Sequence, residues 1–209
     1  MKLVFLGPPG AGKGTIAALA VASLGLPHIS TGDLFRAAIR NGTPLGLRVK
    51  DILASGGLVP DSLTIDLVRD RLSGDDSRNG WILDGFPRTI PQAEALEEMN
   101  PVDHVVNFDV ADGIVVTRLA GRRVCRNCGK IYHVTTMPPA AEGVCDACGG
   151  EVYTRPDDSE DAVRVRLDTY RRQTAPLIAW YGHRGSLLTI DGVGSPEAVL
   201  DRFRMAVAI

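Results

Sequence analysis

The sequence predicts an α/β fold: a five-stranded parallel sheet with helices on both faces, carrying inserts. Three observations predict it. Short apolar runs recur along the chain between segments of helical spacing, the alternation that builds βαβ units. The first run breaks into a glycine-rich loop that opens a helix. Residues 122–157 then change texture, holding every cysteine, several prolines and glycines, and little helical periodicity. With 209 residues, 44% of them hydrophobic, the chain can bury a full core as one domain carrying inserts.

The elements follow in order. Leu3 to Leu6 is an apolar run that reads as a buried strand, and a helix is expected over about 12–23. A short strand lies near His28–Ile29. Two short helices, 33–41 and 45–55, are parted by Gly42-Thr-Pro44 and stopped by Gly56-Gly57. The next helix starts after Pro60, with Asp61 or Ser62 as its cap and Leu63, Leu67 and Val68 on one face. Gly80 to Asp84 is a second apolar strand ending in a carboxylate, followed by a helix from Ile90 to Met99. A strand over 102–110 and a helix over 113–119 lead to the cysteine-bearing insert. Beyond it, Asp158, Glu160 and Asp161 fall where a helix dipole favours acids. That helical stretch runs toward Tyr181 and must kink or restart at Pro176. Residues 187–190 make the last strand and 196–208 the last helix.

The chemistry starts at the amino end. Gly7-x4-Gly12-Lys13 has P-loop spacing, although Gly14 displaces the hydroxyl to Thr15. Loop N–H groups and the positive end of a helix suit a phosphate chain. Lys13 adds an ammonium for the β- and γ-phosphates, and Thr15 a hydroxyl near a metal. Cys125-x2-Cys128-x16-Cys145-x2-Cys148 is two knuckles with zinc spacing, and iron is the lesser option. A four-thiolate site has no open position, so it reads as structural.

Asp84 closes a buried strand beside the loop strand, where a carboxylate can hold magnesium directly or through water. Gly85 permits close approach of a ligand, and Arg88 projects over the same edge. Ser30-Thr-Gly-Asp33 precedes a helix, so Asp33 reads either as a cap or as a site residue, beside Arg36. Arg118, Arg122 and Arg123 precede the insert, and Arg155 and Arg166 follow it. If the insert is a flap, these cations converge as a phosphate clamp. The four histidines (28, 104, 133 and 183) show no ligand spacing and read as structural.

Composition sets the bounds. A net charge of −2 and the absence of a basic stripe argue against a nucleic-acid binder, including a zinc-ribbon module. Only four of the 23 basic residues are lysine, and arginine suits bidentate phosphate contacts. No apolar run of 18 residues suggests a membrane span. A strand starting at residue 2 or 3 leaves no room for a leader, so the expected compartment is the cytoplasm and disulfides are not expected.

Taken together, these motifs resemble the adenylate kinases, in their bacterial long-lid form with a zinc-bearing lid. The resemblance is carried by Gly7 to Thr15, Ser30 to Arg36, Asp84-Gly-Phe-Pro-Arg-Thr89, Gly121-Arg-Arg123, the four cysteines, Thr154-Arg-Pro-Asp-Asp158 and Thr174-Ala-Pro-Leu177. They span nearly the whole length in the family's order. The resemblance implies the P-loop nucleoside monophosphate kinase fold, with a core of 1–29, 60–121 and 160–209, a helical monophosphate-binding insert at 30–59 and a lid at 122–159. It implies Mg²⁺-dependent transfer of the ATP γ-phosphoryl group to AMP, giving two ADP, by a monomer with structural Zn²⁺. Gly10, Ala11, Gly12, Lys13, Gly14, Thr15, Arg118 and Arg122 match ATP-binding positions. Thr31, Arg36, Gly57, Val59, Gly85, Arg88, Gln92, Arg155 and Arg166 match AMP-binding positions. Lys13, Asp84, Arg88, Arg122, Arg155 and Arg166 match the catalytic set, and Asp157 and Asp158 match acids that help the lid close. Ile16 and Gly57 depart from the family's more frequent residues. The alternative is a sister kinase acting on another monophosphate or using GTP as donor.

Overall fold

A computed structural model describes residues 1–208. In chain order the elements are β1 (Lys2–Leu6), α1 (Lys13–Leu24), β2 (His28–Ser30), α2 (Thr31–Arg40), α3 (Pro44–Ala54), α4 (Asp61–Leu72), β3 (Trp81–Asp84), α5 (Ile90–Met99), β4 (His104–Asp109) and α6 (Asp112–Gly121). There follow β5 (Arg122–Cys125), β6 (Ile131–His133), β7 (Val152–Tyr153), α7 (Glu160–Thr169), α8 (Pro176–His183), β8 (Leu187–Asp191) and α9 (Pro196–Ala206).

Five strands form one sheet in the order β2-β3-β1-β4-β8, every pair parallel, as the alternation of strands and helices predicts. The apolar runs are continuous because both faces are covered. Leu3, Phe5, Ile82, Val106 and Phe108 pack on the side of α1 and α9. Val4, Leu83 and Val105 pack on the side of α5 and α8. Phe5 anchors the first layer, with ring centroids 5.0 Å from Phe108 and 5.3 Å from Phe203. Because the strands run one way, Gly7, Ser30 and Asp84 emerge together at the carboxyl edge of the sheet.

Several local expectations change. Helix α2 is capped by the Ser30 hydroxyl, which accepts from the Asp33 N–H, so Asp33 is free to pair with Arg36. Pro60, not Asp61 or Ser62, occupies the cap position of α4. Asp61 is the first helical residue, and its carboxylate accepts a hydrogen bond from Gln92 instead. Asp158 lies outside the first turn of α7, in a separate short turn over Pro156–Asp158, and Ser159 caps the helix. The break expected at Pro176 is prepared by a wide turn over Tyr170–Thr174, closed by the Ala175 N–H donating to the Tyr170 carbonyl at 2.8 Å.

The cysteine-rich segment is a three-stranded antiparallel sheet in the order β6-β5-β7. Its strands are two to four residues long, too short to carry a hydrophobic period. Its apolar cluster is only Cys125, Tyr132 and Cys145, with Val152 against them.

Candidate functional site

Gly7, Gly10 and Gly12 hold φ of +137°, +81° and +96°, which an L side chain adopts only under strain. At Gly7 a Cβ would lie 2.7 Å from the Phe108 carbonyl oxygen. The loop is therefore tied against β4 and turns its backbone toward the start of α1, the geometry of an anion cradle. The Lys13 ammonium donates to the Gly7 and Pro8 carbonyls at 2.8 and 2.9 Å. Desolvation lowers the Lys13 pKa to about 8. Asp84 opposes this, while Arg88, Arg166 and Arg122 add to it.

Asp84 sits at the end of β3 and faces the loop, with Oδ2 3.5 Å from where a Cβ on Gly14 would stand. Although burial works against it, its carboxyl is held below the usual carboxylate range by the His28 ring and the Lys13 ammonium. The His28 Nε2 lies 3.7 Å from Asp84 Oδ2. The reading of His28 as structural missed this neighbour, since a lone histidine has no spacing to betray it.

Arginines ring the same cleft, about 1810 Å³ in volume. Arg88 donates from Nε to the Gly85 carbonyl at 2.8 Å. Its own N–H is held by Gln92 and its carbonyl by the Thr174 hydroxyl. Burial, followed by the charge of Arg166, lowers its pKa to about 10. Arg36 pairs with Asp33 at 2.7 Å, and Arg155, only 8% exposed, reaches the same carboxylate at 3.8 Å. Arg122 pairs with Asp158, whose other neighbour is Arg166 at 3.0 Å; Arg166 also lies 3.1 Å from Asp157. Burial pushes Asp157 up, but Arg166 and Arg36 hold it below its ordinary value. Arg118 donates to the Ala11 and Gly192 carbonyls at 3.2 and 3.0 Å, beside the loop. Arg123 does not join this set; it donates to the Ala120 and Arg122 carbonyls.

Thr31, Gly57, Val59, Gly85, Arg88 and Gln92 meet around a narrow side pocket beyond Arg88. The Thr31 hydroxyl donates to the Gly85 carbonyl at 2.8 Å. A Cβ on Gly57 would stand 3.2 Å from the Ile52 carbonyl oxygen, so the glycine there relieves crowding as well as shortening the side chain. Gly10, Ala11, Gly12, Gly14 and Thr15 line the main cleft.

The four cysteine sulfurs lie within 4.8 Å of one another, with Cys125–Cys148 and Cys128–Cys145 each at 3.5 Å. Tetrahedral zinc with Zn–S of about 2.3 Å would space its sulfurs by roughly 3.8 Å, so the donor set and spacing fit that ion. The buried Tyr132 hydroxyl donates to Cys145 Sγ at 3.3 Å and pulls that thiol down to about 6.

The parallel sheet, the glycine loop at its carboxyl edge and the ring of cations around it define a P-loop nucleotide-binding protein. Comparison with known sequences narrows the class. Residues 5–186 match the family model described as adenylate kinase. The adenylate kinase of Treponema denticola is 53% identical over 205 residues, 98% of each chain. That of Carboxydothermus hydrogenoformans is 53% identical over 212 residues, 99% of each, and that of a Geobacillus species 52% over 209, covering 98% of this chain and 97% of its own. The chain belongs to the adenylate kinase family. Among the described residues, no helix is long and apolar enough to cross a membrane.

Proposed function

We infer that this protein catalyses reversible transfer of the ATP γ-phosphoryl group to AMP, yielding two ADP. The observation that carries the reading is the cleft itself. One glycine loop, Lys13, Asp84 and the side chains of Arg36, Arg88, Arg122, Arg155 and Arg166 line a single volume. Phosphoryl transfer asks for in-line placement and charge neutralisation, not for covalent help.

In this reading Gly10 to Thr15 cradle the ATP phosphates, and Lys13 releases the Gly7 and Pro8 carbonyls to follow the transferring group. Arg118 lies against the donor's base. Thr31, Gly57, Val59, Gly85 and Gln92 form the AMP pocket. Arg36 and Arg88 bind its phosphate and point its oxygen at the donor. Arg122, Arg155 and Arg166 neutralise the phosphoryl chain, exchanging carboxylate partners for phosphate oxygens. Asp84 and Thr15 would hold magnesium together with the phosphates, and the ion would supply charge neutralisation there. The segments 30–59 and 122–159 are flaps that exclude water, so that the acceptor is a monophosphate and not a hydroxide. Zinc on the four cysteines holds the lid together. The protein works as a monomer in the cytoplasm.

A coupled assay for ADP from ATP with each monophosphate in turn tests the reading. AMP is the expected acceptor; a preference for UMP, CMP or GMP, or for GTP as donor, would assign a sister activity instead. Arg88→Ala should lower turnover with AMP by about 10²–10³-fold, the scale of losing one transition-state charge contact, with an unchanged melting curve. Unaltered turnover would remove Arg88 from the site.

A further inference from the structure

Gln92 is 2% exposed and lines the side pocket. Both ends of its amide are already engaged. Oε1 accepts from the Arg88 backbone N–H at 2.8 Å, and Nε2 donates to Asp61 Oδ1 at 2.7 Å. A primary amide has two N–H donors and an oxygen with two lone pairs, so one donor and one acceptor site are left over. Which comes first is set by the partners. Turning the amide over would place Nε2–H against the Arg88 N–H, donor to donor. It would also place Oε1 against the Asp61 carboxylate, acceptor to acceptor. In a buried position water cannot relieve either conflict.

We propose that Asp61 is a specificity-determining positioning residue: by fixing the direction of the Gln92 amide, it tunes the pocket to a base presenting an exocyclic amine beside a ring-nitrogen acceptor. This inference rests on the side pocket being the monophosphate site. An amine beside an acceptor is the edge of a 6-aminopurine. A 6-oxopurine offers a ring N–H beside a carbonyl, the reverse pair, and could be read only by the overturned amide. The Arg88 N–H is a backbone group and resists the flip in any variant. Asp61 is the half of the lock that a side-chain change removes, because an ionised carboxylate only accepts. It is the first residue of α4.

The test compares kcat/KM for AMP and for inosine monophosphate, with ATP as donor, in the wild type, Asp61→Asn and Asp61→Glu. Inosine monophosphate differs from AMP at this edge and adds no 2-amino group. An asparagine can present either a donor or an acceptor, so the AMP preference should fall tenfold or more. The change should appear in KM for the monophosphates and not in KM for ATP. Asp61→Glu retains an obligate acceptor and should recover most of the preference, which a merely structural role for Asp61 would not produce. If Asp61→Asn melts below the assay temperature, Asp61→Ser is read on the same ratio, since a hydroxyl also donates or accepts. A folded variant with the wild-type ratio overturns the proposal alone. A wild type that converts no monophosphate overturns the kinase reading and this proposal with it.

Discussion

The sheet core and the lid are both β-structure flanking one cleft, yet different forces hold them. The core buries two continuous apolar layers, one on each face of five parallel strands. The lid has three short strands and a cluster of three buried residues, two of them cysteines of the four-sulfur group. At about 25 cal/mol per Å² of apolar surface the first can stabilise itself, and the second cannot. In the proposed reading zinc ligation supplies what burial does not, and for structural zinc that is on the order of 10 kcal/mol.

Stripping the metal is the strongest way to break this comparison. Chelation should unfold residues 122–155 while the core keeps a cooperative melt, and limited proteolysis should then cut between Cys128 and Cys145. A metal-free lid that stays protected would mean its strands are held by something other than the thiolates. Truncation sharpens the same contrast. Leu83→Ala, in the middle of a strand buried on both faces, should cost about 2–5 kcal/mol in a denaturant titration. Val152→Ala, half-buried at the lid cluster, should cost under about 1 kcal/mol. Equal costs would show that the lid has a conventional core after all.

The contrast also explains what could be read from the chain alone. The runs at Leu3, Trp81 and Val105 were legible because a strand covered on both faces is apolar at every position. The lid sheet was not, because its strands hold register through knuckle turns and thiolates, which leave cysteine spacing as their only trace. The residues around the cleft were legible where they lie in motifs: Lys13, Asp84, Arg88 and the arginines that bracket the lid. Arg123 looked equivalent to Arg122, but successive strand residues face opposite ways, and only one of them turns inward. Asp61 carried no signal beyond that of a helix cap, because its partner Gln92 is 31 residues away. From its position alone Asp158 reads as helix-dipole charge, the resemblance marks it as an acid that helps the lid close, and folding places it between Arg122 and Arg166.

Within the lid, one hydroxyl ties the thiolates to the strand over the phosphate loop. Along β6, Ile131 reaches the Gly14 side of that loop, and Tyr132 turns the other way, to Cys145 Sγ and the Asp146 N–H. Tyr132→Phe removes both contacts and little volume. Outer-shell partners of this kind are worth about 10–100-fold in metal affinity, so zinc should pass to a competing chelator more readily by that factor. Unchanged retention would mean the knuckles are self-sufficient.

The smallest effect links the two regions. Lys13 belongs to the core loop, but its lowered pKa of about 8 owes part of its depression to Arg122 at the root of the lid, after burial and alongside Arg88 and Arg166. In the proposed reading the ammonium helps to attract the ATP phosphates in the unbound protein, and its charge is lost as pH rises through that value. kcat/KM for ATP reports the free enzyme, so it should fall about fivefold between pH 8 and 9. kcat reports the complex, in which phosphate charge raises the Lys13 pKa, so it should stay level over the same interval. The linkage to stability has the opposite direction. A lysine whose folded pKa lies below 10.5 binds fewer protons folded than unfolded from about pH 8 upward, so its contribution to stability grows with pH across that window. Unfolding of the lid on metal removal would take Arg122 away and open the loop to water, and both changes would raise the Lys13 pKa. The fall in kcat/KM should therefore move to higher pH in the metal-free protein. A profile that does not move would show that the lid contributes nothing to the charge on the phosphate loop, and the two regions would be independent in function as well as in folding.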